Sequence, residues 1–67
     1  LQAELSAREI EVLRLIGRGL ANKEIATELG LSAHTVKNHL SHILEKLQAA
    51  DRAHALAIAL QRGIIEL

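Results

Sequence analysis

The sequence of 67 residues contains no cysteine, proline, methionine, phenylalanine, tyrosine or tryptophan. Without cysteine the chain has no disulfide, no thiol nucleophile and no zinc finger, which fits a reducing compartment. Without aromatic rings it lacks the stacking platforms that bind single-stranded nucleic acids. No apolar run approaches the roughly 20 residues of a membrane span, so we expect a cytoplasmic location and no membrane partner.

The chain also has no excess of charge of either sign, because eight Lys and Arg balance eight Asp and Glu. A neutral sum argues against nucleic-acid binding, since such domains are usually basic. At this length we expect one domain over residues 1–67, and a hydrophobic content of 49% argues against disorder.

Apolar residues recur at intervals of three and four rather than two, which predicts an all-α, bundle-like domain. Four helices are expected, at about 7–18, 22–29, 33–47 and 52–62. Gly30 breaks the second helix, and Ser32 opens the third only two residues later. So short a link forces a steep crossing, which is the geometry of a helix-turn-helix unit.

Residues suited to capping or ending a helix stand at most of these boundaries. Ser6 and Glu9 have capping-box spacing, Asn22 is an acceptable N-cap of the second helix, and Asp51 suits the fourth. Glycines are expected to end helices because they adopt the left-handed conformation, and they are Gly17, Gly19, Gly30 and Gly63.

The expected third helix separates apolar from polar side chains around its axis. At about 100° per residue, one face collects Val36, Leu40, Ile43, Leu44 and Leu47, and the opposite face collects His34, Asn38, Ser41, His42 and Glu45. No acid precedes Glu45 on this helix. Such a face suits the major groove, where Lys and Asn read base edges while hydroxyls hold phosphates. The simpler alternative is a polar face that only meets water.

Local charge bears on this choice more than the neutral total. Residues 32–47 carry two Lys and three His against the single acid Glu45, whereas Glu4, Glu9 and Glu11 cluster near the first helix. A neutral sum can therefore conceal a basic edge.

Motifs ordered along nearly the whole chain match one known pattern. They are Leu5-Ser6-Ala7-Arg8-Glu9 with Glu11-Val12-Leu13, then Gly19-Leu20-Ala21-Asn22-Lys23-Glu24-Ile25-Ala26, then Leu31-Ser32, Thr35-Val36-Lys37-Asn38-His39, Ile43, Lys46-Leu47, Arg52 and Ala55. This pattern, from about Leu5 to Ile64, resembles the LuxR-type (NarL/FixJ-like) helix-turn-helix of bacterial transcription regulators.

The resemblance implies a DNA-binding output domain that regulates transcription, with its third helix in the major groove of specific double-stranded sequences. By position it implies base reading by Lys37, Asn38 and Ser41. It also implies phosphate contacts, which are Lys23, Ser32, Thr35 and Lys46, with Asn22 and Arg52 as weaker assignments. Ala21 departs from the family, since relatives often carry Ser or Thr there.

The resemblance further implies a longer parent protein, such as a response regulator of a two-component system. The start at Leu1, with hardly any lead-in, fits a C-terminal domain excised from such a regulator. RNA polymerase is a candidate partner. We expect this domain to bind no small-molecule ligand and no cofactor.

The expected fourth helix carries more apolar surface than a four-helix core requires. Family relatives often dimerise through this helix, so we expect a homodimer on paired half-sites. Its predicted interface residues are Ala53, Ala57, Ile58 and Leu60. The alternative is a helix covered by the rest of a longer protein.

Histidines invite a metal or catalytic hypothesis, and both are disfavoured. His39 and His42 are three apart, but no carboxylate or cysteine completes a ligand set, so His39 is expected to pack at the core border. Ser41 and His42 are adjacent and point about 100° apart, with no acid to orient the imidazole. We therefore expect no metal site and no enzyme. The competing function is a helical protein-interaction module that does not touch DNA.

Overall fold

The computed structural model describes residues 4–66, which form four α-helices. They are α1 (Ala7–Gly17), α2 (Asn22–Leu29), α3 (Ala33–Leu47) and α4 (Arg52–Gln61). The all-α fold and the four helices are confirmed. The bounds of α2 and α3 agree with those expected, whereas α1 and α4 each end one residue early because Arg18 and Arg62 serve as C-caps.

Most of the expected capping interactions are present. The Ser6 and Glu9 capping box is reciprocal, since Glu9 N donates to Ser6 Oγ at 3.1 Å and Ser6 N donates to Glu9 Oε1 at 2.8 Å. Ser32 Oγ accepts from Thr35 N at 3.1 Å at the start of α3. Asp51 Oδ1 accepts from His54 N at 2.8 Å at the start of α4. These bonds satisfy backbone donors that the first helical turn leaves without partners.

Two boundary predictions were wrong. Asn22 is the first helical residue of α2 rather than its N-cap, and Ala21 occupies the cap position. Because Ala21 has no side-chain acceptor, Glu24 Oε1 supplies the one capping bond, accepting from Ala21 N at 2.8 Å. Gly17 lies inside α1, and of the two glycines in this region only Gly19 has a positive φ, at 88°.

The core draws apolar side chains from every helix. Fully buried residues include Val12 and Leu13 of α1, Ile25 of α2, Val36 and Ile43 of α3, and Ala55 and Ala59 of α4. Burying each large aliphatic side chain contributes about 1.5–3 kcal/mol relative to leaving it in water. Because α3 packs against all three other helices, they contact its inner side and fix its position in the fold.

Candidate nucleic-acid interface

The turn between α2 and α3 determines where α3 lies. Gly30 has φ 69°, a conformation that a residue with a Cβ adopts only with strain. Leu31 N then donates to Ala26 O at 2.8 Å, and the Leu31 side chain packs partly against the core. The backbone hydrogen bond and the packed side chain of Leu31 together hold the turn, so that α3 begins in a fixed position against α2.

The outer face of α3, which we define as His34, Lys37, Asn38, Ser41 and His42, is exposed along its whole length. Within residues 4–66, none of these five side chains makes a hydrogen bond or ion pair with another part of the chain. Val36 and Ile43 on the inner side are completely buried. The structure thus brings the three sequence-predicted base-reading residues together on one surface, with their donors and acceptors available to a partner.

Three of the predicted phosphate contacts lie at the N-termini of α2 and α3. Ser32 Oγ and Thr35 Oγ1 are 2.9 Å apart at the N-terminus of α3, where the backbone N–H groups favour an anion. Lys23 is exposed in the first turn of α2, and its ammonium group has no acidic partner within the described residues. Two of the predicted phosphate contacts therefore adjoin the outer face at the N-terminus of α3, and the third is an exposed cation at the N-terminus of α2.

Lys46 differs from these residues because its ammonium group is held inside the chain. Lys46 Nζ donates to Glu9 Oε1 at 2.8 Å and to the Glu4 carbonyl oxygen at 3.2 Å. The Glu9 side chain is only 5% exposed and that of Lys46 is 29% exposed. The residue assigned to phosphate by family resemblance thus forms an ion pair that ties the last turn of α3 to the first turn of α1.

The carboxylate of Glu9 is ionised in a nearly buried position. Burial raises the pKa of Glu9. The hydrogen bond from Lys46, the hydrogen bonds with Ser6 and the charge of Lys46 together lower this pKa by more, so that it lies below its ordinary value. Because the folded pKa is lowered, Glu9 stabilises the fold above the unfolded pKa. This contribution is lost as the pH falls through the folded pKa. The free energy of unfolding, measured at several acid pH values, should therefore fall more steeply for wild type than for Glu9→Gln.

Asn22 and Arg52, the weaker phosphate assignments, contact each other. Arg52 Nη1 donates to Asn22 Oδ1 at 3.0 Å, and Arg52 Nη2 donates to the Leu20 carbonyl oxygen at 3.0 Å. The guanidinium group therefore joins the start of α4 to the start of α2. The Asn22 side-chain amide keeps its N–H donors for another partner, because only its oxygen is used by Arg52.

Sequence reasoning missed both long-range links of these cations. Lys46 lies 37 residues from Glu9, and Arg52 lies 30 residues from Asn22. No local spacing signals such pairs. The available signal was indirect, since an acid that caps a helix beside the core needs a cation to remain ionised.

The predicted dimer residues of α4 do not share one face. Ala53, Ala57 and Leu60 are exposed and follow one another at intervals of four and three, so they form a single stripe, which we call the apolar stripe. Ile58 is half-buried and packs partly against the core on the other side of the helix. Leu60 is 37% exposed. The stripe is thus narrower than the sequence predicted.

The histidines of α3 fall where the helical pattern places them. His34 and His42 are exposed, and His39 is half-buried at the edge of the core. Across residues 4–66, no three His, Asp or Glu side chains lie close enough together to hold a metal ion. None of the helices in this part of the chain is long and apolar enough to cross a membrane.

Residues 3–59 match the family model described as bacterial regulatory proteins, luxR family. The transcriptional regulatory protein YdfI of Bacillus subtilis is 42% identical over 66 residues, which are 98% of this chain and 31% of that protein. The response regulator protein VraR of Staphylococcus aureus is 44% identical over 62 residues, or 92% of this chain and 30% of the relative. The chain therefore spans about a third of the length of these relatives.

Solved structures with the same fold agree with these matches. The response regulator ChrA of a heme-sensing two-component system superposes with a TM-score of 0.92 at 43% identity, over 97% of this chain and 32% of that one. The transcription factor GerE superposes with a TM-score of 0.91 at 32% identity, over 97% of both chains. The four-helix arrangement described above is thus shared with solved proteins that are 43% and 32% identical to this chain.

Proposed function

This chain belongs to the LuxR family of bacterial regulatory proteins as a helix-turn-helix DNA-binding domain, and we propose that it regulates transcription by binding specific double-stranded sequences. The observation that carries the proposal is the outer face of α3, which is exposed and polar and has no hydrogen-bond or ion-pair partner among residues 4–66. The major groove of duplex DNA admits an α-helix and presents a distinct donor and acceptor pattern for each base pair. A free line of amide, hydroxyl, imidazole and ammonium groups matches that pattern.

Base reading is assigned to Lys37, Asn38 and Ser41. Asn can pair with both N6 and N7 of adenine, and Lys can donate to O6 and N7 of guanine. Ser41 lies one turn beyond Lys37 on the same exposed side of α3 and can donate or accept. These three residues supply sequence preference in the proposal.

Phosphate anchoring is assigned to Lys23 in the first turn of α2 and to Ser32 and Thr35 at the N-terminus of α3. Their donors fix the helix on the backbone of the duplex without reading its sequence. Asn22 adds its free amide N–H groups, and Arg52 supports it by holding the amide oxygen. Because few cations take part, we expect weak non-specific binding.

We further propose that two copies bind paired half-sites through the apolar stripe of α4. A polar surface placed over the apolar stripe would bury little apolar area and so add little binding free energy. A second apolar helix would bury more, because Ala53 and Ala57 allow it to approach closely and Leu60 adds apolar contact. In this proposal the parent protein is a longer regulator, as the relatives named above are. The domain acts in the cytoplasm, has RNA polymerase as a further partner and carries out no catalytic step. The half-buried Ile58 stays outside this interface.

The test of DNA binding is a gel shift with genomic fragments at two salt concentrations. Binding through phosphate contacts must weaken steeply as salt rises, because each neutralised phosphate releases counterions. A shift that competitor DNA of unrelated sequence cannot remove would support the proposal. Absence of any salt-sensitive shift would favour the competing function, a protein-interaction module that uses the same four helices without touching DNA.

A further inference from the structure

We infer that Lys46 does not contact DNA but acts with Glu9 as a positioning pair that holds the outer face of α3 at the correct height and angle. The inference rests on the proposed function, since it names how the DNA-reading helix is held. It reassigns one of the three lysines of the chain, which are Lys23, Lys37 and Lys46.

The first support is the direction in which Lys46 leaves α3. At about 100° per residue, Lys46 lies about 20° from Thr35 and on the same edge as His39. All three residues are half-buried, whereas Asn38 and Ser41, on the outer face, are exposed. Lys46 therefore leaves α3 along an edge rather than from the middle of the outer face, and it differs from Thr35 on the same edge because it lies in the last turn, where its ammonium group reaches Glu9 of α1.

The second support is that the ammonium group is already engaged. Its two acceptors, Glu9 Oε1 and the Glu4 carbonyl oxygen, lie at 2.8 and 3.2 Å. Glu9 Oε1 also accepts from Ser6 N at 2.8 Å, so one carboxylate oxygen both caps α1 and holds α3. The ammonium group has a third N–H donor, but a phosphate that drew it away from Glu9 would leave a nearly buried carboxylate without its counter-ion, which is unfavourable.

The third support is the position of this pair along α3. The turn at Gly30 fixes the N-terminal end of α3, and Lys46 lies one residue before its last residue, Leu47. A helix held at both ends cannot pivot about either of them. Base contacts depend on such rigidity because a hydrogen bond weakens steeply with angle and distance.

The experiment measures the salt dependence of binding by three variants, Lys46→Met, Glu9→Gln and the reference Lys23→Met. The probes are a duplex that the wild-type chain selects from a randomised pool and a scrambled duplex of the same composition. Affinities are corrected for the folded fraction measured by circular dichroism, so a loss of stability alone moves nothing. Lys46→Arg, which keeps a cation opposite Glu9, serves as the conservative variant.

If the pair positions α3, Lys46→Met weakens binding to the selected duplex by about tenfold, because base contacts lose their geometry when the last turn of α3 is no longer held. Its salt slope stays that of wild type, whereas Lys23→Met lowers the slope by about 0.9. Glu9→Gln weakens the same binding although it removes a negative charge from a DNA-binding domain. Lys46→Arg restores affinity. A reduced slope for Lys46→Met, or unchanged or tighter binding by Glu9→Gln, would overturn the inference.

A footprint on the wild-type chain keeps the inference testable if the variants fail to fold. Under limited acetylation, Lys46 should react slowly with or without the selected duplex, whereas Lys23 should react readily and become protected by it. A Lys46 that reacts readily in the free chain and is protected only by DNA would refute the pair. If the wild-type chain selects no sequence, the proposed function fails, while slow acetylation of free Lys46 still reports the ion pair separately.

Discussion

Helices α3 and α4 bury one side in the same core but present opposite chemistry on the other. The exposed side of α3 carries amide, hydroxyl, imidazole and ammonium groups and no acid before Glu45. The exposed side of α4 carries the apolar stripe of Ala53, Ala57 and Leu60. Because both helices already bury their apolar inner sides in the core, the fold does not require their exposed sides to differ in polarity.

The difference indicates what each helix is for. Polar groups without intramolecular partners gain from hydrogen-bonding donors and acceptors fixed in a groove, and they gain little from an apolar surface. Small apolar residues gain from being removed from water by another helix. The proposal that α3 meets DNA and α4 meets a second copy of the chain rests on this difference, and substitutions on either side of each helix can test it.

The largest effect on stability is expected when a charged residue is placed on the buried side of α4 instead of its exposed side. Ala55 is completely buried and Ala57, two residues later, is exposed. Ala55→Asp places an unpaired carboxylate in the core and should lower the free energy of unfolding by about 3–5 kcal/mol. In a dilute, monomeric sample, where no dimer contributes to stability, Ala57→Asp should change it by no more than about 0.5 kcal/mol. Urea unfolding of the two variants measures the difference, and similar losses would show that the burial of α4 is misassigned.

The next effect concerns the outer face of α3. Asn38→Ala removes an exposed amide with no role in the fold, so stability should not change, but binding to the selected duplex should weaken by about 1–3 kcal/mol. Binding to a scrambled duplex should stay the same. Glu45→Ala, farther along the helix, is the matched control and should leave sequence preference intact. If Asn38→Ala retained that preference, the base-reading assignment would be wrong.

Most of the fold could be predicted from the sequence because its signals are local. Intervals of three and four between apolar residues located all four helices, and Ser6, Ser32 and Asp51 cap α1, α3 and α4 as expected. The errors arose where two local signals competed. Asn22 and Ala21 both adjoin the start of α2, and the capping bond comes from Glu24 rather than from either of them.

The candidate site was predictable only in part, for a related reason. Exposure of Asn38 and Ser41 follows from helical periodicity alone, whereas Lys37 lies at the edge of the apolar face in that pattern, and its exposure is seen only in the structure. The partner of Lys46 depends on how α1 crosses α3, which no spacing within either helix reveals. Similarly, Ile58 was grouped with the apolar stripe because apolarity does not show which side of α4 the core covers.

A smaller effect is expected from the apolar stripe. Ala57→Glu introduces a charge at its centre and should abolish dimerisation in a sedimentation experiment. Affinity for paired half-sites should fall by about tenfold, or on the order of 1.4 kcal/mol, while a single half-site is bound as before. Ala7→Glu, the same substitution at an exposed position of α1, is the control. A wild-type chain that stays monomeric at high concentration and binds half-sites without cooperativity would remove the dimer.

The smallest effect tests the joint that sets α3 against α4. Gln48 has φ 54°, a left-handed conformation that strains a residue with a Cβ, and its N–H donates to Glu45 O at 3.2 Å. Gln48→Gly relieves this strain but increases the freedom of the unfolded chain, so the net gain in unfolding free energy should be about 0.5–1 kcal/mol. Gln61→Gly, at the helical end of α4, should instead lose about 0.5–1 kcal/mol. Because the backbone at position 48 already has the conformation that glycine prefers, the angle between the outer face and the apolar stripe should not change, and DNA affinity should equal that of wild type. A loss of affinity without a loss of stability would show that the Gln48 side chain, rather than its backbone, holds the two helices in register.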